Sequence, residues 1–171
     1  MAIKDALLPE FDHEMATTRT LLVRVPDDRG DWKPHPKSMS VGELAMHIGE
    51  VPAWLTLTLL QDEFDTNPPG GTPYRTPAFE STGKLVEVFD SNVKASREAL
   101  ARATDEQFMQ GWSLKSGGTV HMSMPRVAVV RSFVLNHLIH HRGQLSVYLR
   151  LLDVPLPSIY GPTADLQAAM K

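Results

Sequence analysis

The sequence predicts an all-α protein, a four-helix bundle with a long crossover after the second helix and a small β-hairpin before the fourth. Three observations point to it. Four long stretches repeat their apolar residues at steps of three and four, the period of a helix with one buried face. Residues 62–79 are rich in Pro and Gly and too many for a tight turn between neighbouring helices. Residues 110–122 switch period around a Gly-Gly pair, the signature of a hairpin.

The first helix is expected from Lys4 to Val25, with Leu7, Leu8, Phe11, Met15, Thr18, Leu22 and Val25 as its apolar stripe. His13 falls off that stripe and reads as solvated. Asp31–Met39 is a stiff loop held extended by Pro34 and Pro36, with Trp32 plugging one end of the core and His35 on the surface. Ser40 and Glu43 form a capping box, which starts the second helix at Val41 and lets it run to Leu60. Pro52 lies inside that helix and predicts a kink one turn beyond His47.

After the crossover, which lies over the bundle as a possible lid, the third helix spans Ser81–Ala103. Leu85, Val88, Phe89, Val93, Ser96 and Leu100 face inward, and a charged outer face is solvated. The hairpin carries Trp112 and ends at His121, which reads as structural or exposed. Ser123 and Pro125 are expected to open the fourth helix, which extends to Leu152 and is the most apolar of the four.

Composition narrows the chemistry. The 171 residues suit a single domain over residues 1–171, and 42% apolar with 22% charged is ordinary for a globular chain. A formal charge of −3 and the lack of any basic run argue against a nucleic-acid partner. With no cysteine there is no disulfide, thiolate metal site, iron–sulfur cluster or cysteine nucleophile. Any metal must be held by nitrogen and oxygen, and any thiol must arrive with a substrate. No apolar run approaches the length of a membrane span, and the N-terminus has no signal core, so a cytoplasmic protein is the expectation.

The densest chemistry lies in Asn136–Tyr148, Asn-His-Leu-Ile-His-His-Arg-Gly-Gln-Leu-Ser-Val-Tyr. His137 and His141 are four apart and stack on one helix face, a spacing at which two imidazoles can share a divalent ion. At about 100° per residue, Phe133, His137, His141, Gln144 and Tyr148 share one stripe, and His140 falls to one side. A third ligand must come from elsewhere, and His47 stands on the apolar stripe of the second helix. A lone histidine there is usually a hydrogen-bonded core residue. Several imidazoles buried without a shared cation or acceptors would each cost about 1–3 kcal/mol. Both readings stand on the residues alone.

His141-Arg142-Gly143-Gln144-Leu145, preceded by Asn136-His137 and paired with His47 after Ser38-Met-Ser-Val-Gly-Glu-Leu, resembles the DinB-like family, within the wider superfamily of DinB and YfiT-like metalloenzymes. The likeness runs over nearly the whole chain, through the Trp32 loop, the Trp112 hairpin and Tyr160-Gly161-Pro162. It implies a four-helix bundle, a divalent metal held by His47, His137 and His141, and often a homodimer. It also implies kinship with enzymes that use low-molecular-weight thiols such as mycothiol or bacillithiol in isomerisation or S-transfer, and with stress-induced proteins whose activity is unknown.

All-nitrogen ligation suits Zn or Ni, with Fe or Co next. Three imidazoles leave a coordination position open for water, a thiolate or a substrate oxygen. Gln144 and Glu50, each one turn from a ligand, are the candidates to orient the imidazoles. Two function classes follow. One is a metal-dependent enzyme, a thiol-dependent S-transferase or a hydrolase, acting on a small molecule. The other is a non-catalytic bundle whose ion staples two helices, serving as a stress-response or dimerisation module.

Overall fold

The computed structural model describes residues 1–169 and is mainly helical. Helix α1 spans Ile3–Leu22, and a single 3-10 turn at Asp27–Arg29 follows it. Helix α2 spans Val41–Leu60, α3 Thr82–Arg102, and the short α4 Asp105–Met109. The last long helical run has three segments, α5 at Arg126–Val129, a π-helical stretch at Val130–Asn136, and α6 at His137–Leu151. A terminal helix α7 covers Ala164–Ala169. Strands β1 (Glu63–Asp65), β2 (Gly111–Ser116) and β3 (Thr119–Pro125) make one small sheet.

The helix starts follow from local hydrogen bonding. Ser40 accepts the Glu43 N–H while the Glu43 carboxylate accepts the Ser40 N–H, so the capping box forms as written in the sequence. Ser81 likewise accepts the Lys84 N–H at the start of α3. Thr104 and Gln107 form a second capping box at α4, a short helix between α3 and the sheet.

The core is one cluster drawn from α1, α2, α3 and the last helical run. Phe11, Leu22, Leu44, Ile48, Leu55, Phe89, Leu100, Val134, Leu138 and Leu145 are all buried in it. Helix α2 remains one element through Pro52. Around that proline α3 supplies donors, with the Asn92 amide on the Gly49 carbonyl at 3.0 Å and the Ser96 hydroxyl on the Pro52 carbonyl at 2.5 Å. Those side chains satisfy backbone groups near the broken ladder that water would otherwise have to reach.

Three expectations change. The hairpin is not two-stranded, because residues 63–65 of the crossover pair with β2 in parallel, Phe64 opposite Leu114. Two strands with little apolar face are marginal alone, and the third strand ties the sheet to the end of α2. Ser123 does not cap the fourth helix. It sits within β3, opposite Ser113, and Pro125 occupies the cap position without a side-chain bond. The strand pairing simply outcompetes the cap. The third change is the π-helical stretch, which breaks the uniform advance per residue assumed for the fourth helix.

The crossover is fastened at both ends. Asp65 accepts the N–H groups of Gly117 and Gly118, which sit at φ +61° and +77° as a two-residue hairpin turn of this twist requires. Phe79 packs where Gly30 and Gly42 leave room; a Cβ on Gly42 would fall 2.7 Å from the Phe79 Cβ. Buried Arg126 joins the sheet region to α2, donating to the Leu59 carbonyl and to Asp62.

Candidate metal centre

Two facing helices deliver the three histidines. His47 lies in α2 among the buried residues Leu44, Met46, Ile48 and Val51, and His137 and His141 open the first turns of α6. Each imidazole is half-buried, and each offers a ring nitrogen such that all three nitrogens lie within 4.8 Å of one another. His47 Nε2 and His137 Nε2 are 2.8 Å apart. Ring centroids are separated by 5.1 Å for His47–His137, 4.6 Å for His47–His141 and 4.4 Å for His137–His141.

The donor set fits a divalent ion. Nitrogens bound at about 2.0–2.1 Å around a tetrahedral centre sit roughly 3.3 Å from each other, so the His47–His137 pair need open only slightly. Burial, with the charge of neighbouring imidazoles, pushes both His47 and His137 down to about 4. The rings are therefore neutral at physiological pH, as metal ligation demands. Among the described residues no carboxylate joins the group.

His141 shows how its ring is oriented. Its Nδ1 lies 2.7 Å from Gln144 Oε1, and since an amide oxygen can only accept, Nδ1 carries the proton and Nε2 keeps its lone pair. Gln144 therefore takes the role expected of it. Glu50 does not reach the imidazoles by hydrogen bond. It accepts the Tyr74 hydroxyl at 2.6 Å. Burial, then the bond to Glu50, raises the Tyr74 phenol to about 12.

The other histidines stand apart. His140 is exposed, its ring centroid 4.9 Å from His141, and His13 and His121 are exposed as expected. His35 stays in its loop, accepting the Lys37 N–H.

A cavity of about 200 Å³ adjoins the centre on the His137 side. Trp54 from α2, Phe64 and Trp112 from the sheet, Tyr74 from the crossover and Phe133 from the π-helical stretch wall it. Trp54 stands edge-on to His47, with centroids 5.4 Å apart, and 5.1 Å from His137. On the other side His47 borders an open groove lined by Lys33, Lys37, Ser40, Glu43 and Thr76. The centre thus lies between an almost wholly apolar cavity and a wider groove of mixed polar and apolar lining.

Sequence reasoning missed this wall. Trp54 carried a usable signal, two turns after His47 on the same helix face. Tyr74 carried none, because a Pro-rich crossover has no period from which to read direction.

Comparison with known proteins adds the following. The family model described as the DinB family matches residues 1–169. The uncharacterized protein YrdA of Bacillus subtilis (strain 168) is 24% identical over 165 residues, covering 94% of this chain and 90% of that protein. A crystal structure of a DinB-like protein from Bacillus cereus superposes with a TM-score of 0.71 at 23% identity, covering 93% of this chain and 98% of the other. A DinB-like protein from Bacillus subtilis gives 0.68 at 20% identity, with 92% and 99% covered.

Proposed function

This chain belongs to the DinB family, and from that premise we propose that it is a metal-dependent enzyme holding one divalent ion on His47, His137 and His141. The ion is Zn or Ni first, Fe or Co next, by the preference of all-imidazole sites. The reaction class is S-transfer with a low-molecular-weight thiol, or hydrolysis of a small molecule. The observation that carries the reading is the convergence of three neutral, half-buried imidazoles from two helices within 4.8 Å.

When bound, such an ion acidifies water or holds a thiol as thiolate, which supplies a nucleophile at neutral pH. The chain does the rest. Gln144 fixes the His141 ring by accepting its Nδ1 proton. Trp54 packs against both His47 and His137 and limits their rotation. The apolar walls of the cavity leave few polar groups on one side of the centre, which strengthens electrostatic interactions there. The groove beside His47 gives a polar reactant a route of approach.

A metal that only stapled α2 to α6 would need neither the cavity nor the groove, and their presence at the centre favours the enzyme. The test is metal content. Protein purified and equilibrated with micromolar Zn or Ni should retain one ion per chain by mass spectrometry. His47→Ala and His141→Ala should each lose it while keeping a wild-type helical circular dichroism spectrum. A wild-type chain that retains no divalent metal at micromolar concentration would sink the reading.

A further inference from the structure

Beside His137 the packing leaves a space that the bundle itself does not need. Close-packed interiors hold few voids wider than a water molecule, and each one costs stability. This cavity measures about 200 Å³, against the roughly 150 Å³ engineered apolar cavity of another protein that takes up benzene. Its wall is assembled from distant parts of the chain, with Trp54 from α2, Phe64 and Leu114 from the sheet, Tyr74 from the crossover and Phe133 from the π-helical stretch. That stretch ends directly before His137, and such turns are rare and gather at functional sites.

The wall decides what can enter. No Asp, Glu, Lys or Arg lines it, so a charged ligand would give up hydration with nothing in return. Its hydroxyls donate within the protein, Thr58 to the Trp54 carbonyl at 2.7 Å, Thr66 to the Lys115 carbonyl at 3.2 Å and Tyr74 to Glu50 at 2.6 Å. The Trp112 indole nitrogen is buried behind the surface and is not offered to the cavity. What remains is almost wholly apolar, and ring faces and edges reward a flat or compact hydrocarbon. Of the three histidines, only His137 lines the cavity and only His47 lines the groove, and their Nε2 atoms are 2.8 Å apart. A molecule at the centre therefore has the cavity on one side and the groove on the other.

We propose that the cavity holds a compact, uncharged hydrocarbon group, one ring or a branched chain of similar size, and that this group is the apolar end of the reactant. The polar atoms of the reactant then stay at the centre and in the groove, where Lys33, Ser40, Glu43 and Thr76 meet them. Binding in the cavity needs no ion; only the role of the bound group as part of a reactant rests on the metal-enzyme reading. Phe64, Leu114, Tyr74 and Phe133 set what is accepted, and none of them lies on the helices that carry the histidines.

The test is a fluorine NMR titration of the full chain with para-fluorotoluene and its charged counterpart para-fluorobenzoate. The metal-free wild type should bind para-fluorotoluene at sub-millimolar concentration, about tenfold or more tightly than the benzoate. Leu114→Trp, which fills the space, should abolish that binding while keeping the wild-type circular dichroism spectrum. Phe133→Ala, which enlarges the space, should raise affinity for 1-fluoronaphthalene about tenfold, and it serves if Leu114→Trp does not fold. In a chain loaded with Co, the bound para-fluorotoluene resonance should broaden beyond its width in the Zn-loaded chain, because the cavity adjoins the ion. No binding of para-fluorotoluene at millimolar concentration, or equal binding of the benzoate, would overturn the proposal. So would binding that survives a folded Leu114→Trp, an unchanged naphthalene affinity in Phe133→Ala, or a bound resonance indifferent to Co. A chain that takes no metal but binds para-fluorotoluene in this way loses the metal function and keeps the cavity's ligand. A chain that takes metal and ignores the probe does the reverse.

Discussion

Arg142 Nη2 stands 2.7 Å from Glu14 Oε2, and both side chains are buried where α6 crosses α1. Arg142 is 1% exposed, the largest fully buried side chain among the described residues. It also donates to the Glu14 carbonyl and to Thr18 Oγ1, each at 3.2 Å. The Tyr160 hydroxyl closes the group, accepting from Arg142 at 2.5 Å and donating to the Glu14 carboxylate. The chain after α6 is thereby tied to the same pair.

Removing one member of that pair leaves the other charged and buried. Arg142→Met or Glu14→Gln should therefore cost about 3–5 kcal/mol in urea unfolding. The double variant Glu14→Leu/Arg142→Met should recover much of the loss, because a well-packed apolar replacement is often as stable as the ion pair. Both measurements are made in chelator, so metal does not enter. A single variant within about 1 kcal/mol of wild type would show that the pair is not held as described.

Gln144 bonds to His141 outside the ligand atoms themselves, so its loss should weaken metal without removing it. Gln144→Ala should reduce Zn affinity by about 10–100-fold, read by competition with a chromophoric chelator. Gln144→Glu should retain most of the affinity, since a carboxylate accepts the same Nδ1 proton. An unchanged affinity in Gln144→Ala would mean the His141 ring is fixed by packing alone.

The buried imidazoles give the metal-free protein a defined acid sensitivity. In the unfolded chain a histidine titrates at 6.5, whereas His47 and His137 in the fold are pushed down to about 4, mainly by burial. As pH falls through 6.5, the unfolded state takes up protons that the native state refuses, and native stability declines. The decline ends near pH 4, where the native rings protonate too. The Tm of chelator-treated wild type should fall across this window by more than that of His47→Gln/His137→Gln. Parallel profiles would show that the two rings titrate as freely as exposed ones. The same depression means protons compete weakly for the ligands, so Co occupancy followed by its visible absorption should persist below pH 6.5.

The helices and the His137–His141 pair could be read from the chain because both rest on short-range periodicity, whereas His47 joined them through the resemblance to the DinB-like family. Ser40–Glu43 and Ser81 mark helix starts, and His137, His141 and the apolar stripe around His47 follow from one turn's spacing. What could not be read depends on contacts distant in sequence. β1 forms only because β2 lies beside it, almost fifty residues on, and Tyr74 finds Glu50 only after the crossover has folded back. Arg142 lies between the two. It is four after Leu138 and three before Leu145, both buried, so the pattern places it in the core. Its charge made a surface position the easy assumption, and only Glu14 on another helix makes the burial tolerable.

The π-helical stretch at Val130–Asn136 holds more residues per turn than the α-helix on either side. Deleting one residue from it, Ser132 for instance, would restore regular winding and rotate the segment before it by about 100° against the segment after it. Leu138, Leu145 and Leu149 anchor α6 in the core, so His137 and His141 would stay where they are. The part that would turn is the one carrying Val129, which lies in the cavity wall. A continuous α-helix would hold the ion-binding face and the ligand-contacting face in fixed phase. The wider turn acts as a joint between them, so that length changes of a single residue can reshape what the protein accepts without moving what holds the ion.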